Sequence, residues 1–110
     1  MNIAGGMSLN EPAADLAICA AIASGQRNIA IDPHVAVMGE VGLAGEVRAV
    51  SHIDRRLAEC ERMGFTDVIV PKGNLRAARV PEGLNVFGAE TVAQAFRHLF
   101  RGEAEAPQQV

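Results

Sequence analysis

The chain has 110 residues, of which 49% are hydrophobic and 21% are charged, with 11 glycines and 5 prolines. This composition is typical of one globular domain, and it excludes several catalytic domains in series as well as a low-complexity disordered chain. The net charge of −3 argues against a self-sufficient nucleic-acid binder, which would usually be strongly basic.

Two features of the sequence concern location. The longest apolar run, Leu16 to Ala23, is far shorter than the roughly 18 residues that a membrane span needs, and the residues after Met1 lack the pattern of a signal peptide. Cys19 and Cys60 both fall in helical patterns and are interpreted as reduced core thiols, without a disulfide or a metal. We therefore expect a cytoplasmic protein with no membrane partner.

The first predicted elements are a short strand and a central helix. Asn2–Ala4 is a strand candidate, and Asn10 is a plausible N-cap for a helix that carries Pro12 in its first turn. This helix is apolar on more than one face, and we expect it to run to about Ser24 and to end at Gly25.

Two strands and an amphipathic helix are predicted next. Val35–Met38 is a buried strand, and the glycine-rich segment after it leads into a second strand over Val47–Val50. A helix is predicted from Ser51 to the stop at Gly64. Its apolar face is formed by Ile53, Leu57 and Cys60, and its polar face by Arg55, Arg56, Glu59 and Arg62.

The remaining elements complete the predicted order βα, ββ, αβ, βα. Asp67–Pro71 and Leu84–Phe87 are strand candidates, and Thr91 with Gln94 forms a capping box for a last helix. The sequence therefore predicts one mixed α/β domain over residues 1–101. Residues 102–110 are expected to form a disordered tail.

Nucleotide and metal sites are not predicted. The only lysine, Lys72, precedes Gly73 and does not fit a phosphate-binding G-x-x-x-x-G-K-[ST] loop. His34, His52 and His98 have no metal-ligand spacing relative to one another or to the cysteines. We expect no cofactor and no metal.

Basic residues cluster in the second half of the chain. Between Arg55 and Arg79 six basic side chains stand against three acidic ones, a local excess of +3. A solvated surface, with Glu59 and Glu61 paired to its arginines, is the more common explanation of such a cluster, and the functional alternative is contact with the phosphates of DNA. The candidate DNA-binding residues are Arg55, Arg56, Arg62, Lys72, Arg76 and Arg79.

Four segments in order carry a resemblance to a known family. They are Ile3–Gly6, Asn10–Ala17, Gly39–Arg48 (GEVGLAGEVR), and the pair Gly64–Phe65 and Val68–Pro71. Over residues 2–100 the chain resembles the C-terminal Lon-protease-like domain of the RadA (Sms) family of bacterial DNA repair proteins.

The resemblance implies the ribosomal protein S5 domain 2-like fold, in which a mixed sheet is packed by helices. The family also has a zinc finger and a RecA-like ATPase domain, neither of which is in this chain. Its Lon-like domain usually begins with further strands and a helix, so the domain here is expected to be truncated at its N-terminal edge. The partners implied are a RecA-like ATPase domain of the same protein and further copies of the chain in a homo-oligomer.

The same resemblance bears on catalysis. Active Lon-type peptidases use a serine that follows a proline at the start of the central helix, and a lysine at the start of the next helix. Carried onto this sequence, the serine position is Ala13 and the lysine position is Arg56. The resemblance therefore implies a degenerate site and no enzymatic activity in this chain.

Three functions are weighed on these grounds. The favoured one is a non-catalytic scaffold of a RadA-type repair and recombination protein, which supports ring assembly and nonspecific DNA contact. The alternatives are the S5-like domain of a ComM or magnesium-chelatase-related ATPase and an active Lon-type peptidase domain. The Pro12–Asp15 and Gly42–Glu46 segments favour RadA.

Overall fold

A parallel three-stranded sheet separates two layers of helices in this protein. The computed structural model describes residues 11–100. The helices are α1 (Asp15–Arg27), α2 (Ile53–Arg62), the single turn α3 (Lys72–Leu75) and α4 (Val92–Leu99), and a 3-10 turn (Pro12–Ala14) leads into α1. The strands are β1 (Val35–Val37), β2 (Glu40–Val41), β3 (Val47–Arg48), β4 (Asp67–Pro71) and β5 (Asn85–Ala89).

The strands form two separate sheets. The larger has the order β1-β4-β5 and is parallel throughout, with Val37, Ile69 and Phe87 in register across it. Strands β2 and β3 pair as an antiparallel hairpin in which Glu40 lies opposite Arg48. Parallel and antiparallel pairings with covering helices confirm the predicted α/β class.

The alternation of side chains along β4 creates two cores. Val68 and Val70 point to one side of the sheet, where Leu57 and Cys60 of α2 pack, and Ile69 points to the other side, where Leu16 of α1 packs. All three β4 side chains are almost completely buried. Because side chains alternate along a strand, the part of a central strand that is covered on both faces must be apolar, as Val68–Pro71 are.

The end of α1 differs from the prediction. The helix continues through Gly25 to Arg27, and Asn28, with φ of 56°, forms the left-handed cap. Its N–H donates to the Gly25 carbonyl at 3.3 Å, and the Ile29 N–H donates to the Ser24 carbonyl at 3.0 Å. The predicted stop at Gly25 was wrong because asparagine, like glycine, tolerates the left-handed region.

The segments on either side of β4 also differ in detail from the prediction. Helix α2 begins at Ile53 instead of Ser51, after His52 in the left-handed region with φ of 58°, and no side chain caps it. Helix α3 was not predicted, since a single turn containing Gly73 has no detectable periodicity. The second predicted strand, Val47–Val50, is shortened to the two residues of β3.

The cap of α4 was predicted correctly in part. The Gln94 N–H donates to Thr91 Oγ1 at 3.1 Å, as a capping box requires, but the Gln94 side chain accepts from the Glu90 N–H at 2.7 Å instead of from Thr91. The predicted strand Asn2–Ala4, the Asn10 cap and the tail 102–110 lie outside the described residues. Within residues 11–100, no helix is long and apolar enough to cross a membrane.

Candidate functional site

The structure brings the two predicted dyad positions together. Ala13 and Arg56 line one cavity of about 300 Å³ between the start of α1, the start of α2 and the hairpin. The remaining lining residues are Glu11, Pro12, Glu40, Ala49, Val50 and Ser51.

Arg56 is held inside this cavity by two partners. Its Nη2 donates to the Glu11 carboxylate, and its Nε donates to the Ser51 carbonyl at 2.7 Å. The Arg56 side chain is only 11% exposed. It is thus withdrawn from the outer face of α2, where the sequence pattern had placed it.

Backbone bonds fix the position of Ala13 at the floor of the cavity. The Gly39 N–H donates to the Ala13 carbonyl and the Leu16 N–H donates to the Gly39 carbonyl, both at 2.9 Å. Asp15, in the first turn of α1, also accepts from the Val41 N–H at 3.2 Å. The start of α1 is therefore tied to β1 and the hairpin.

Glu46 organises the turn of the hairpin, a role that the sequence did not reveal. Its Oε1 accepts from the Ala44 N–H at 3.1 Å, and its Oε2 accepts from Arg48 Nη2 at 2.9 Å. Its carboxylate fills the space beside Gly42 that a Cβ would occupy. Hydrogen bonding to its own backbone N–H and then to Arg48 lowers the pKa of Glu46. Glu40 and Glu46 both contact Arg48 and thereby stabilise the hairpin.

The six basic candidates fall into different environments. Arg62 pairs with Glu59 on α2, and Arg56 is in the cavity described above. Lys72 lies 3.6 Å from Glu90, measured from Nζ to Oε1. The side chains of the other three make no ion pair within the described residues; they are Arg55, Arg76 and Arg79.

Hydrogen bonds place the three unpaired arginines in neighbouring segments. The Asp54 carboxylate accepts from the Arg79 N–H at 2.7 Å, which joins the start of α2 to the chain after α3. Asn74 of α3 bonds to both backbone groups of Val50, with distances of 2.9 and 3.0 Å. We call Arg55, Arg76 and Arg79 the arginine surface.

A larger cavity, of about 550 Å³, lies at the carboxyl ends of the parallel strands. Lys72 and Gly73 follow β4, and Glu90 follows β5. The other lining residues are Val47 and Arg76.

Both cysteines are free, and Cys19 is partly buried. Cys60 is fully buried, and this burial, with a smaller effect of Glu59, raises the pKa of its thiol to about 11. In the described part of the chain, no three histidine, cysteine or acidic residues form a group that could hold a metal ion.

Comparison with known proteins places this fold and site in a family. Residues 3–101 match the Lon protease (S16) C-terminal proteolytic domain, and the chain belongs to this family. Within it, the chain is 48% identical over 95 residues to the DNA repair protein RadA of Halalkalibacterium halodurans, covering 86% of the chain and 21% of the relative. It is 45% identical over 102 residues to RadA of Bacillus subtilis, covering 93% and 22%.

The same relationship extends to RadA of Streptococcus pneumoniae, at 39% identity over 97 residues, 88% of the chain and 23% of the relative. The predicted resemblance is thereby confirmed, and the chain corresponds to the Lon-like domain of RadA-type proteins. The chain spans about a fifth of the length of these curated relatives.

Proposed function

We propose that this chain is a non-catalytic Lon-like domain of a RadA-type DNA repair and recombination protein, in which it supports ring assembly and contacts duplex DNA without sequence specificity. The observation that carries the non-catalytic part is the ion pair of Arg56 with Glu11 beside Ala13. It occupies the place where the family resemblance puts a serine and a lysine.

The chemistry of the cavity does not suit a serine-lysine dyad. Ala13 has no hydroxyl, and the guanidinium of Arg56 cannot accept a proton near neutral pH. Ser51 supplies the one hydroxyl among the lining residues. The two lining carboxylates, Glu11 and Glu40, are paired with Arg56 and Arg48.

We expect no hydrolysis of casein or of fluorogenic peptides by the purified chain. Turnover is measured for the unaltered protein and for Ser51→Ala, which removes the hydroxyl in the cavity. Hydrolysis that Ser51→Ala abolishes would contradict a degenerate site, whereas a trace of activity equal in both proteins would indicate a contaminant.

The DNA contact is assigned to the arginine surface because its charges lack carboxylate partners in the described residues. Arg62 is not included, since Glu59 neutralises it, and Arg56 is excluded by its burial. Exposed guanidinium groups without a local counter-charge attract the phosphate backbone, and a ring would multiply a weak single contact through avidity.

The test is a salt titration of duplex binding by Arg55→Glu/Arg79→Glu. Binding by the unaltered chain is expected to be weak and to fall steeply with salt. The double variant should lower the slope of log K against log salt by about 2, because two phosphate contacts are lost. Arg97→Glu is the matched control, because Arg97 is also exposed but lies on α4, on the opposite side of the sheet.

Equal affinity and equal salt slope in the double variant and the unaltered chain would remove the DNA contact from the proposal. Arg97→Glu changes the net charge by half as much as the double variant, so a loss half as large in Arg97→Glu would show that only net charge matters. Arg48→Glu is not a useful control, since Arg48 holds Glu46 and the hairpin.

Assembly and location belong to the same proposal. A homo-oligomer, a RecA-like ATPase domain of the same protein and a cytoplasmic setting are what a RadA-type domain requires. Light scattering of the chain at rising concentration tests the first of these, and a strictly monomeric profile would contradict it. The identities to RadA favour this family over the ComM-type alternative.

A further inference from the structure

We propose that the 550 Å³ cavity beside α3 is a phosphate-binding site, formed by Lys72 and Arg76, in which the Glu90 carboxylate competes with the incoming phosphate. The site shares Arg76 with the arginine surface, and the backbone of DNA would be one source of the phosphate. A small phosphorylated molecule would be the other.

The position of the cavity is the first argument. It opens where β4 and β5 end, at the carboxyl edge of the parallel sheet. The segments that follow β4 and β5 converge at this edge, so that side chains from both line the same cavity. Its volume also falls within the range of ordinary ligand sites, roughly 300 to 1,000 Å³.

The charges that line the cavity are the second argument. Lys72 and Arg76 are four residues apart, and both have helical backbone conformation, so their side chains project from one face of a single turn. Like charges at this spacing repel each other. Glu90 is the one carboxylate that lines the cavity. The cavity is therefore lined by two positively charged side chains and a single carboxylate.

The pairing with Glu90 is long and exposed. Lys72 Nζ lies 3.6 Å from Glu90 Oε1, beyond a normal hydrogen bond, and both side chains are more than half exposed. Such a pair contributes little to stability, so an anion with more charge can replace the carboxylate at low cost. Arg76 has no ion pair in the described residues, which leaves its donors available.

The support beneath the two cations is rigid. Asn74, between them in the sequence, bonds to both backbone groups of Val50. Leu75 packs against Gly88 of β5 so closely that a Cβ there would lie 2.5 Å from Leu75 Cδ1. Helix α3 is thus fixed on the sheet, and little ordering is left to be done when a phosphate binds.

The experiment titrates the full chain with inorganic pyrophosphate and follows backbone amide shifts by NMR. We expect shifts at Lys72, Gly73, Arg76 and Glu90. Lys72→Gln and Arg76→Gln should each weaken binding about three- to tenfold, since each removes a charge-assisted hydrogen bond from an exposed site. Glu90→Gln should tighten binding by about the same factor, because the competing charge is lost.

The direction of the Glu90→Gln effect separates this site from a purely structural ion pair. A Glu90→Gln variant that weakens pyrophosphate binding as Lys72→Gln does would overturn the proposal. So would the absence of shifts around the cavity in the unaltered chain, or an equal loss of binding in the control Arg97→Gln. All of these side chains are exposed, and the same spectra verify that each variant is folded.

A second titration with a duplex of about 20 base pairs, long enough to span a small domain, identifies the source of the phosphate. If Lys72→Gln weakens duplex binding and pyrophosphate competes with the duplex, the phosphate is that of DNA. If pyrophosphate binds but the duplex does not, the site holds and the proposed DNA contact fails. If the duplex binds with no effect of Lys72→Gln and pyrophosphate does not bind, the DNA contact holds and this site fails.

Discussion

Glu46 shows how a single side chain can determine the shape of a functional segment. In the sequence it is one of two acids in a glycine-rich stretch, with nothing to distinguish it from a solvated group. In the structure it accepts from the Ala44 N–H and from Arg48, and it lies against Gly42. Any side chain at position 42 would displace this carboxylate, which explains the glycine there.

The hairpin should therefore be sensitive to acid. Since the pKa of Glu46 is lowered in the folded chain, its contribution to stability is complete above the ordinary value of 4.5 and is lost as the pH falls through the folded-state pKa. We expect the protection of the Ala44 amide against hydrogen exchange to fall in acid, as the pH drops below the ordinary value of 4.5. Glu46→Gln should remove this pH dependence, and equal protection of Ala44 across the range would contradict the assignment.

The helical pattern of α2 predicts the wrong environment for Arg56. On a helical wheel it belongs with Arg55 and Glu59, on the polar side of α2. Glu11, distant in sequence, draws it into the cavity instead. The partner comes from a part of the chain that helical periodicity does not cover.

Helix ends are the main difference between prediction and structure at the scale of elements. The interiors of α1, α2, β4 and α4 follow from the pattern of apolar residues. The start of α4 follows from the Thr91 cap. The end of α1 does not follow in the same way, because Gly25 and Asn28 are both acceptable stops and local sequence does not distinguish them; in the structure the cap is Asn28.

Gly25→Ala distinguishes the two possible ends of α1. Gly25 lies inside the helix, and a Cβ added there would have no atom within 4 Å, so alanine should raise the free energy of unfolding by about 0.5–1 kcal/mol. If Gly25 were the left-handed cap, the same change would destabilise the protein. Gly45→Ala is the control, since Gly45 has φ of +82° and alanine there should be destabilising. Urea denaturation measures both.

At the scale of the whole molecule, the central strand β4 couples two cores that lie on opposite faces of the sheet. Val68 and Val70 contribute to the core that contains Cys60, and Ile69 contributes to the core that contains Leu16. Opening either core disturbs the strand that both share. We therefore expect the buried groups near β4 to become accessible together, in one cooperative transition.

Cys60 reports on this transition. With a pKa of about 11, only roughly one Cys60 thiol in a thousand is ionised at pH 8, and none of its surface is exposed. In a Cys19→Ser variant, a thiol reagent should label Cys60 only as fast as the chain unfolds, with a rate that rises with urea. Fast labelling independent of urea would contradict a single cooperative core.

The raised pKa also gives a direction for the stability of the protein in alkali. A thiol whose pKa is raised by folding contributes fully below its ordinary value of 9.0, and this contribution is lost as the pH rises from there to about 11. Cys60→Ala should flatten the decline in thermal stability over this interval.

The sequence by itself determined the α/β class, the order of the main elements and their apolar faces, and it predicted Ala13 and Arg56 as the two dyad positions. These depend on residue type, on local periodicity and on a family resemblance, all of which are contained in the order of residues along the chain. The tertiary structure decided which charges are satisfied: Arg56 by Glu11, Arg62 by Glu59, and Lys72 only partly by Glu90. Ion pairs and cavities depend on distances between segments that are remote in sequence, and the folding of β1, β4 and β5 into one sheet is what brings those segments together.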